Sequence, residues 1–181
     1  MSTDRSIEEL VHRLDDEDGW ARWEATSALV ERGDGAVPAL ILAAHAPTAR
    51  IRYQAITALG WLKAGAGLPL VLEALADDDP GVRHAAVVAT TVIAGPRGAG
   101  ELLPLLDDPD DEVRSAAATA LGLLGSVDAI PALQIRLGDP SPEVRARAQA
   151  ALNRLQTEPH RDRREPPPSD TGRYPGSSPI R

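Results

Sequence analysis

The amino-acid sequence predicts an all-α fold, an α-solenoid of five stacked helix–turn–helix repeats with a period of about 31 residues. Three observations predict it. Five arginines, Arg22, Arg52, Arg83, Arg114 and Arg145, recur at intervals of 30, 31, 31 and 31 residues. They lie in the similar strings WARWEATSAL, RIRYQAITAL, GVRHAAVVAT, EVRSAAATAL and EVRARAQAAL. Helix N-cap residue types, Asp18, Thr48, Asp79, Asp110 and Ser141, stand four positions before each arginine. The apolar residues, 43% of the chain, are mostly Ala and Leu, aromatics are 3% and Phe is absent. That composition favours close helix packing over sheets, which draw on β-branched and aromatic residues.

Each repeat can be read in order. Residues 6–33 begin with an apolar segment marked by Ile7, Leu10 and Leu14, turn at Asp18, and continue with Ala25, Ala28 and Leu29 at helical spacing. Residues 35–63 repeat this with Val37 and Leu40, Thr48, then Ala55, Ala58, Leu59 and Leu62. Residues 65–94 carry Leu68, Val71 and Leu75 before Asp79, with Pro80 at the first helical position, where a missing N–H is harmless. Residues 97–125 offer Leu102 and Leu106, Asp110, then Ala117, Ala120, Leu121 and Leu124. Residues 127–156 close the array with Ile130, Leu133 and Leu137, Ser141 and Pro142. Neither helix of a unit can bury its apolar face alone, so stacking supplies the core. The stretch 157–181, rich in Pro, Ser, Gly and Arg, has little to bury and is expected to be a disordered tail. Its REPPPSD segment is at most a polyproline ligand.

Bulk chemistry excludes several functions. The chain has no Cys, which removes disulfides, thiol catalysis and thiolate metal sites. Residues 1–156 hold 14 basic and 23 acidic side chains within a net charge of −8. That balance argues against nucleic acid, whose binding runs on Lys and Arg. The opening MSTDRSIEEL has acids and no long apolar run, so a signal peptide or membrane span is not expected, and a cytoplasmic protein is.

These residues carry a resemblance. Over residues 6–156 the chain resembles HEAT-repeat proteins of the short-repeat type named after phycobilisome lyases. Pro38, Pro69 and Pro131 match that pattern's first-helix proline, Asp16, Asp77, Asp108 and Asp139 its turn aspartate, and Val82–Arg83, Val113–Arg114 and Val144–Arg145 its VR pair. Ile51–Arg52 is a close variant; repeat 1 has Glu8 and Ala21, repeat 2 has Ala46 for the aspartate, and repeat 4 has Gly100 with its proline at Pro104. The resemblance implies a right-handed solenoid whose second helices form the concave wall. It also implies that the aspartates and arginines, Asp16, Arg22, Arg52, Asp77, Arg83, Asp108, Arg114, Asp139 and Arg145, form a structural ladder between repeats. Ala46 would leave a gap in it.

On a helical wheel at about 100° per residue, core positions fall one before each arginine and three, six, seven and ten after. The opposite face is set by two before and one, five, eight and nine after. Trp20, Trp23, Tyr53 and Trp61 all take outward places, as does His84. Most proteins bury such aromatics. The candidate binding residues are therefore Trp20, Trp23, Ser27, Tyr53, Thr57, Trp61, His84 and Val88, concentrated at the N-terminal end. A structural cap over the first repeat and a homodimer contact are the competing readings.

For catalysis the only candidates are Glu24, Glu31, Tyr53 and His84, where aromatic walls could desolvate a carboxylate and raise its pKa. No catalytic triad, no metal-spaced histidines and no His-Glu pair are present, so neither a catalytic set nor a cofactor is expected. The favoured reading is a monomeric scaffold holding a protein or peptide, with a small apolar ligand as a second partner class. The alternative, implied by the resemblance alone, is a chromophore-lyase-like or other small-molecule enzyme or helper acting in the same aromatic groove. A DNA-repair-type nucleic-acid binder ranks below both on charge.

Overall fold

The computed structural model describes residues 5–157; the segment from 158 onward, with REPPPSD, lies outside the described residues. In chain order the α-helices are α1 (Ile7–His12), α2 (Gly19–Glu31), α3 (Val37–Ala43), α4 (Ala49–Trp61), α5 (Leu68–Glu73), α6 (Pro80–Ala94), α7 (Ala99–Leu102), α8 (Asp111–Leu123), α9 (Ile130–Arg136) and α10 (Pro142–Thr157). Odd-numbered helices are the first helices of the repeats and even-numbered ones the second. Among the described residues there is no strand, and each second helix packs on the next, so the chain is an α-solenoid.

Local chemistry sets the helix ends. Ser6 forms a capping box with Glu9. Asp18 accepts from Trp20 N–H, Asp79 from Val82 N–H, and Asp110 from both Glu112 and Val113 N–H. Thr48 takes the N-cap position of α4 with extended backbone, but its side chain makes no capping bond. In three of the short first helices Pro38, Pro69 and Pro131 stand in the first turn, where a missing N–H costs nothing, and a 3₁₀ turn leads into each. In repeat 4 the displaced Pro104 falls past the helix start. It cannot donate to the helical ladder, so α7 stops after four residues and the chain continues as a 3₁₀ turn over Leu103–Asp107.

The core is a column of Leu and Ala. Ala25, Leu29, Ala55, Leu59, Ala86, Ala117, Leu121 and Ala148 from the second helices are fully buried, against Leu10, Leu40, Val71, Leu102 and Leu133 from the first. The wheel misses one row, four residues after each arginine: Thr26, Ile56, Val87 and Ala118 are buried too. That row faces the following repeat. Gln149, its counterpart in the fifth repeat, is covered by no further repeat among the described residues and is exposed.

Spacing between second helices alternates. A Cβ on Gly60 would stand 3.1 Å from Ala89 Cβ, and one on Gly122 would stand 2.7 Å from Ala151 Cβ. The wheel puts this position, eight after the arginine, on the outward face, yet both glycines are buried. Only a residue without a side chain lets α4 approach α6, and α8 approach α10, so closely. At the two other joints the same position holds Val30 and Thr91, and the helices pack less closely.

Candidate functional site

The ion pairs between repeats come first, because they hold the wall in shape. Arg52 grips Asp77 through Nε and Nη2 at 2.7 Å each, Arg83 grips Asp108 at 2.7 and 2.8 Å, and Arg114 grips Asp139 at 3.0 and 2.9 Å. Each pair reaches from one repeat to the next. The remaining Nη1 donates to two backbone carbonyls of its own turn, as at Asp77 O and Asp78 O for Arg83. Each aspartate also accepts the backbone N–H two residues on.

The carboxyls of Asp77 and Asp139 are held below the ordinary range by the hydrogen-bonded guanidiniums of Arg52 and Arg114. At Asp108 burial pushes upward most strongly, but Arg83, the Asp110 N–H and Arg114 together outweigh it, and the carboxyl again sits low. Among the described residues, the arginines at the two ends of the array reach no carboxylate. Arg22 donates to Asp16 O and Glu17 O, and the repeat register puts Ala46 at the position where a carboxylate would complete the fork. Arg145 donates to Asp139 O and Pro140 O, and among the described residues no further repeat offers it a carboxylate. Asp16 only accepts from Asp18 N–H.

The aromatics stand in the open. Trp20, Trp23 and Trp61 are 68%, 50% and 52% exposed, and the indoles of Trp20 and Trp23 stack with centroids 4.8 Å apart. Tyr53 is exposed beside Gly81 at the start of α6, while Ser27, Thr57 and His84 are half-buried. Val88, Val92 and Leu123 extend the same row of exposed apolar side chains into repeats 3 and 4.

Away from the tryptophans lies a groove of about 720 Å³ between α6 and α8, floored by Val87, Val88, Thr91, Val92, Ala116, Ala120 and Leu123. His84, Asp111, Glu112, Ser115 and Thr119 line it, and Glu143 and Arg147 from α10 border it. It opens where α6 and α8 are held apart, at the joint with Thr91 in place of glycine. Of the residues singled out from sequence, only His84 and Val88 line it. Asp111, Glu112, Ser115, Thr119 and Leu123, which complete the lining on α8, were not among the candidates.

The four catalytic candidates do not assemble. Glu24 is bound by Arg13 at 3.0 Å and Arg5 at 3.5 Å. The Arg13 hydrogen bond, with Arg5, holds its carboxyl below the ordinary range, the reverse of the desolvated acid anticipated among tryptophans. No hydrogen bond or ion pair joins Glu24, Glu31, Tyr53 and His84 to one another. Among the described residues no group of three His, Asp or Glu side chains is placed to hold a metal ion, and no helix is long and apolar enough to cross a membrane.

Geometry and family agree on the class. Stacked helix pairs with an inter-repeat Asp–Arg ladder define an α-solenoid repeat scaffold. The pattern described as HEAT repeats matches residues 7–91 and 99–162, and the chain belongs to that family. No curated protein matches the chain. Among solved structures it is similar to the complex of CpcE and CpcF of phycocyanin lyase from Nostoc sp. PCC7120, at 24% identity and TM-score 0.69, over 80% of this chain and 96% of that one. It is similar to YibA of Escherichia coli at 22% identity and TM-score 0.62, over 84% and 73%. A designed armadillo repeat protein in complex with the peptide (KR)4 is 23% identical, with TM-score 0.60 over 82% and 81%. These likenesses establish a shared fold.

Proposed function

We propose that this chain is a binding module that holds a segment of a partner protein along the wall of its second helices. The observation that carries the reading is the set of exposed apolar side chains on the second helices: Trp20, Trp23, Tyr53, Trp61, Val88, Val92 and Leu123, spread over four successive repeats. Exposed apolar residues elsewhere, such as Leu42 and Ile135, sit singly on first helices, which is ordinary for any surface. Large apolar side chains gathered on one face mark an interaction surface, and Trp and Tyr are the side chains that anchor interfaces. The designed neighbour bound to a peptide supports the reading at the level of fold.

The groove volume also falls in the range of small-molecule sites, which keeps a flat apolar ligand as the second reading. Selection of ligands from a peptide library, repeated on Trp23→Ala and Trp61→Ala, tests both. The proposal expects red-shifted, quenchable tryptophan emission in the free protein. It also expects peptide binding to be lost in the variants with melting temperature nearly unchanged. Blue-shifted emission and a melting temperature lowered by several degrees in the variants overturn it, because the indoles would then be structural. Binding of a bilin but of no peptide moves the assignment to the second reading.

A further inference from the structure

The groove between α6 and α8 has a chemistry of its own, and it deepens the reading above, on which it rests. One end is aliphatic, formed by Val92 and Leu123 at the last turns of their helices. The other is acidic, formed by Asp111 and Glu112 in the first turn of α8. Glu143 at the border is already neutralised by Arg147 at 2.6 Å. Asp111 and Glu112 are exposed, and among the described residues neither forms an ion pair. The groove therefore presents two carboxylates outside any ion pair at one end of an apolar floor, Asp111 within the field of Arg114.

We infer that the groove takes an extended peptide segment of the partner with an Arg or Lys set about five residues from an aliphatic side chain. Charge complementarity selects the cation for Asp111 and Glu112, and the apolar floor selects the aliphatic residue for Val88, Val92 and Leu123. The spacing follows from the wall. Glu112 and Leu123 are eleven residues apart on one helix, about 16 Å at roughly 1.5 Å per residue. An extended segment covers that in about five residues at roughly 3.3 Å each. Binding of this kind strengthens at low salt, because the carboxylates stand in water.

The test uses the full chain and a fluorescent ten-residue Gly/Ser/Pro probe peptide carrying arginine and leucine five residues apart. Controls carry glutamate for arginine, or arginine and leucine side by side. Anisotropy at low salt should show the first probe binding and both controls weaker. The double variant Asp111→Asn, Glu112→Gln should weaken the first probe about fivefold, as one to two exposed ion pairs would. It should also flatten the salt dependence. Leu123→Ser should weaken it about as much through lost apolar contact, with melting temperature recorded for each variant. Equal binding of the glutamate probe, or indifference to both variants, overturns the inference, as does failure of the first probe to bind. If a library-selected peptide depends on Trp23 but not on Asp111, Glu112 or Leu123, the wall remains the binding surface and only the groove assignment falls.

Discussion

Replacing Ala46 by aspartate should stabilise this protein, and the size of the gain follows from the intact rungs. The backbone at Ala46 already has the rung geometry. Its N–H donates to Ala43 O as Asp77 N–H does to Ala74 O, and its carbonyl accepts from Arg52 at 3.0 Å as Asp77 O does from Arg83. Arg22 is anchored by Nη1 on Asp16 O and Glu17 O, which leaves Nε and Nη2 for a fork. A carboxylate at 46 would add two charge-assisted bonds to Arg22 and an acceptor for Thr48 N–H, which the other turns supply at Asp79, Asp110 and Ser141. Charge-assisted bonds contribute about 1.5–3 kcal/mol when well buried. The carboxylate must itself be desolvated at a partly open edge, so a net gain of about 1–2 kcal/mol is expected. For a domain of this length that is about 2–8 °C in Tm.

Thermal melts by circular dichroism should be run on wild type, Ala46→Asp and Ala46→Asn, each with Arg22 intact and with Arg22→Ala. The asparagine keeps the acceptor for Thr48 N–H and lacks the charge. The reasoning is refuted if aspartate stabilises no more than asparagine, or if its gain survives Arg22→Ala. Hydrogen exchange sharpens the result, because the gain should appear as added protection in α1 and α2, the elements beyond the missing rung.

Three further outcomes follow from the same geometry. Asp108→Ala strips the carboxylate from the Arg83 fork in a nearly buried position and should destabilise by about 2–4 kcal/mol in urea titrations, with Asp108→Asn intermediate. Asp77, Asp108 and Asp139 have folded pKa values below the unfolded value of about 3.9. The folded state thus binds fewer protons, and their stabilisation should be complete above about pH 5 and lost as the pH falls through 4 toward the folded values; a flat midpoint between pH 6 and pH 3 contradicts this. Thr90 occupies the core position that Leu29, Leu59 and Leu121 fill in other repeats, and its buried hydroxyl has no partner. Thr90→Val should raise stability by about 1 kcal/mol, and a loss would mean the hydroxyl is satisfied in solution.

The solenoid was legible because five registers agree and because each demand is local: a cap type, a proline, an apolar residue every three or four positions. The row at Thr26, Ile56, Val87 and Ala118 was not. A single-helix wheel separates inside from outside, and this row is buried only by the neighbouring repeat. The groove was missed for the same reason. Large exposed aromatics draw the eye to the N-terminal repeats, whereas a cavity depends on how far apart two helices stand. That distance is decided by one position per repeat, and its signal, Gly60 and Gly122 against Val30 and Thr91, reads in isolation as a stray glycine in a helix.

The same pattern divides the wall into two unlike halves. From repeat 2 onward every joint carries an Asp–Arg rung, and two of those three joints are also closed by glycine. The groove lies at the rung-bearing joint without glycine, so α6 and α8 are tied at the Arg83–Asp108 end yet parted along the wall. That combination gives an opening of fixed shape, which a preformed site needs. The first joint has neither device. It is held by Arg50, whose Nη1 donates to Asp15 O at 3.1 Å and lies 3.8 Å from the Asp15 carboxylate, and by the contact of Thr26 with Gln54 at 3.0 Å. The Thr26 hydroxyl also approaches Arg22 O at 2.9 Å. One proton cannot serve both oxygens, so Gln54 must turn its amide nitrogen toward the hydroxyl for both contacts to hold. The stacked tryptophans thus ride on the most weakly tied repeat, while the groove lies at a joint held by an Asp–Arg rung. A ligand spanning both would order the first joint on binding. Protection of α2 amides should therefore rise with a long peptide and stay unchanged with one that fills the groove alone.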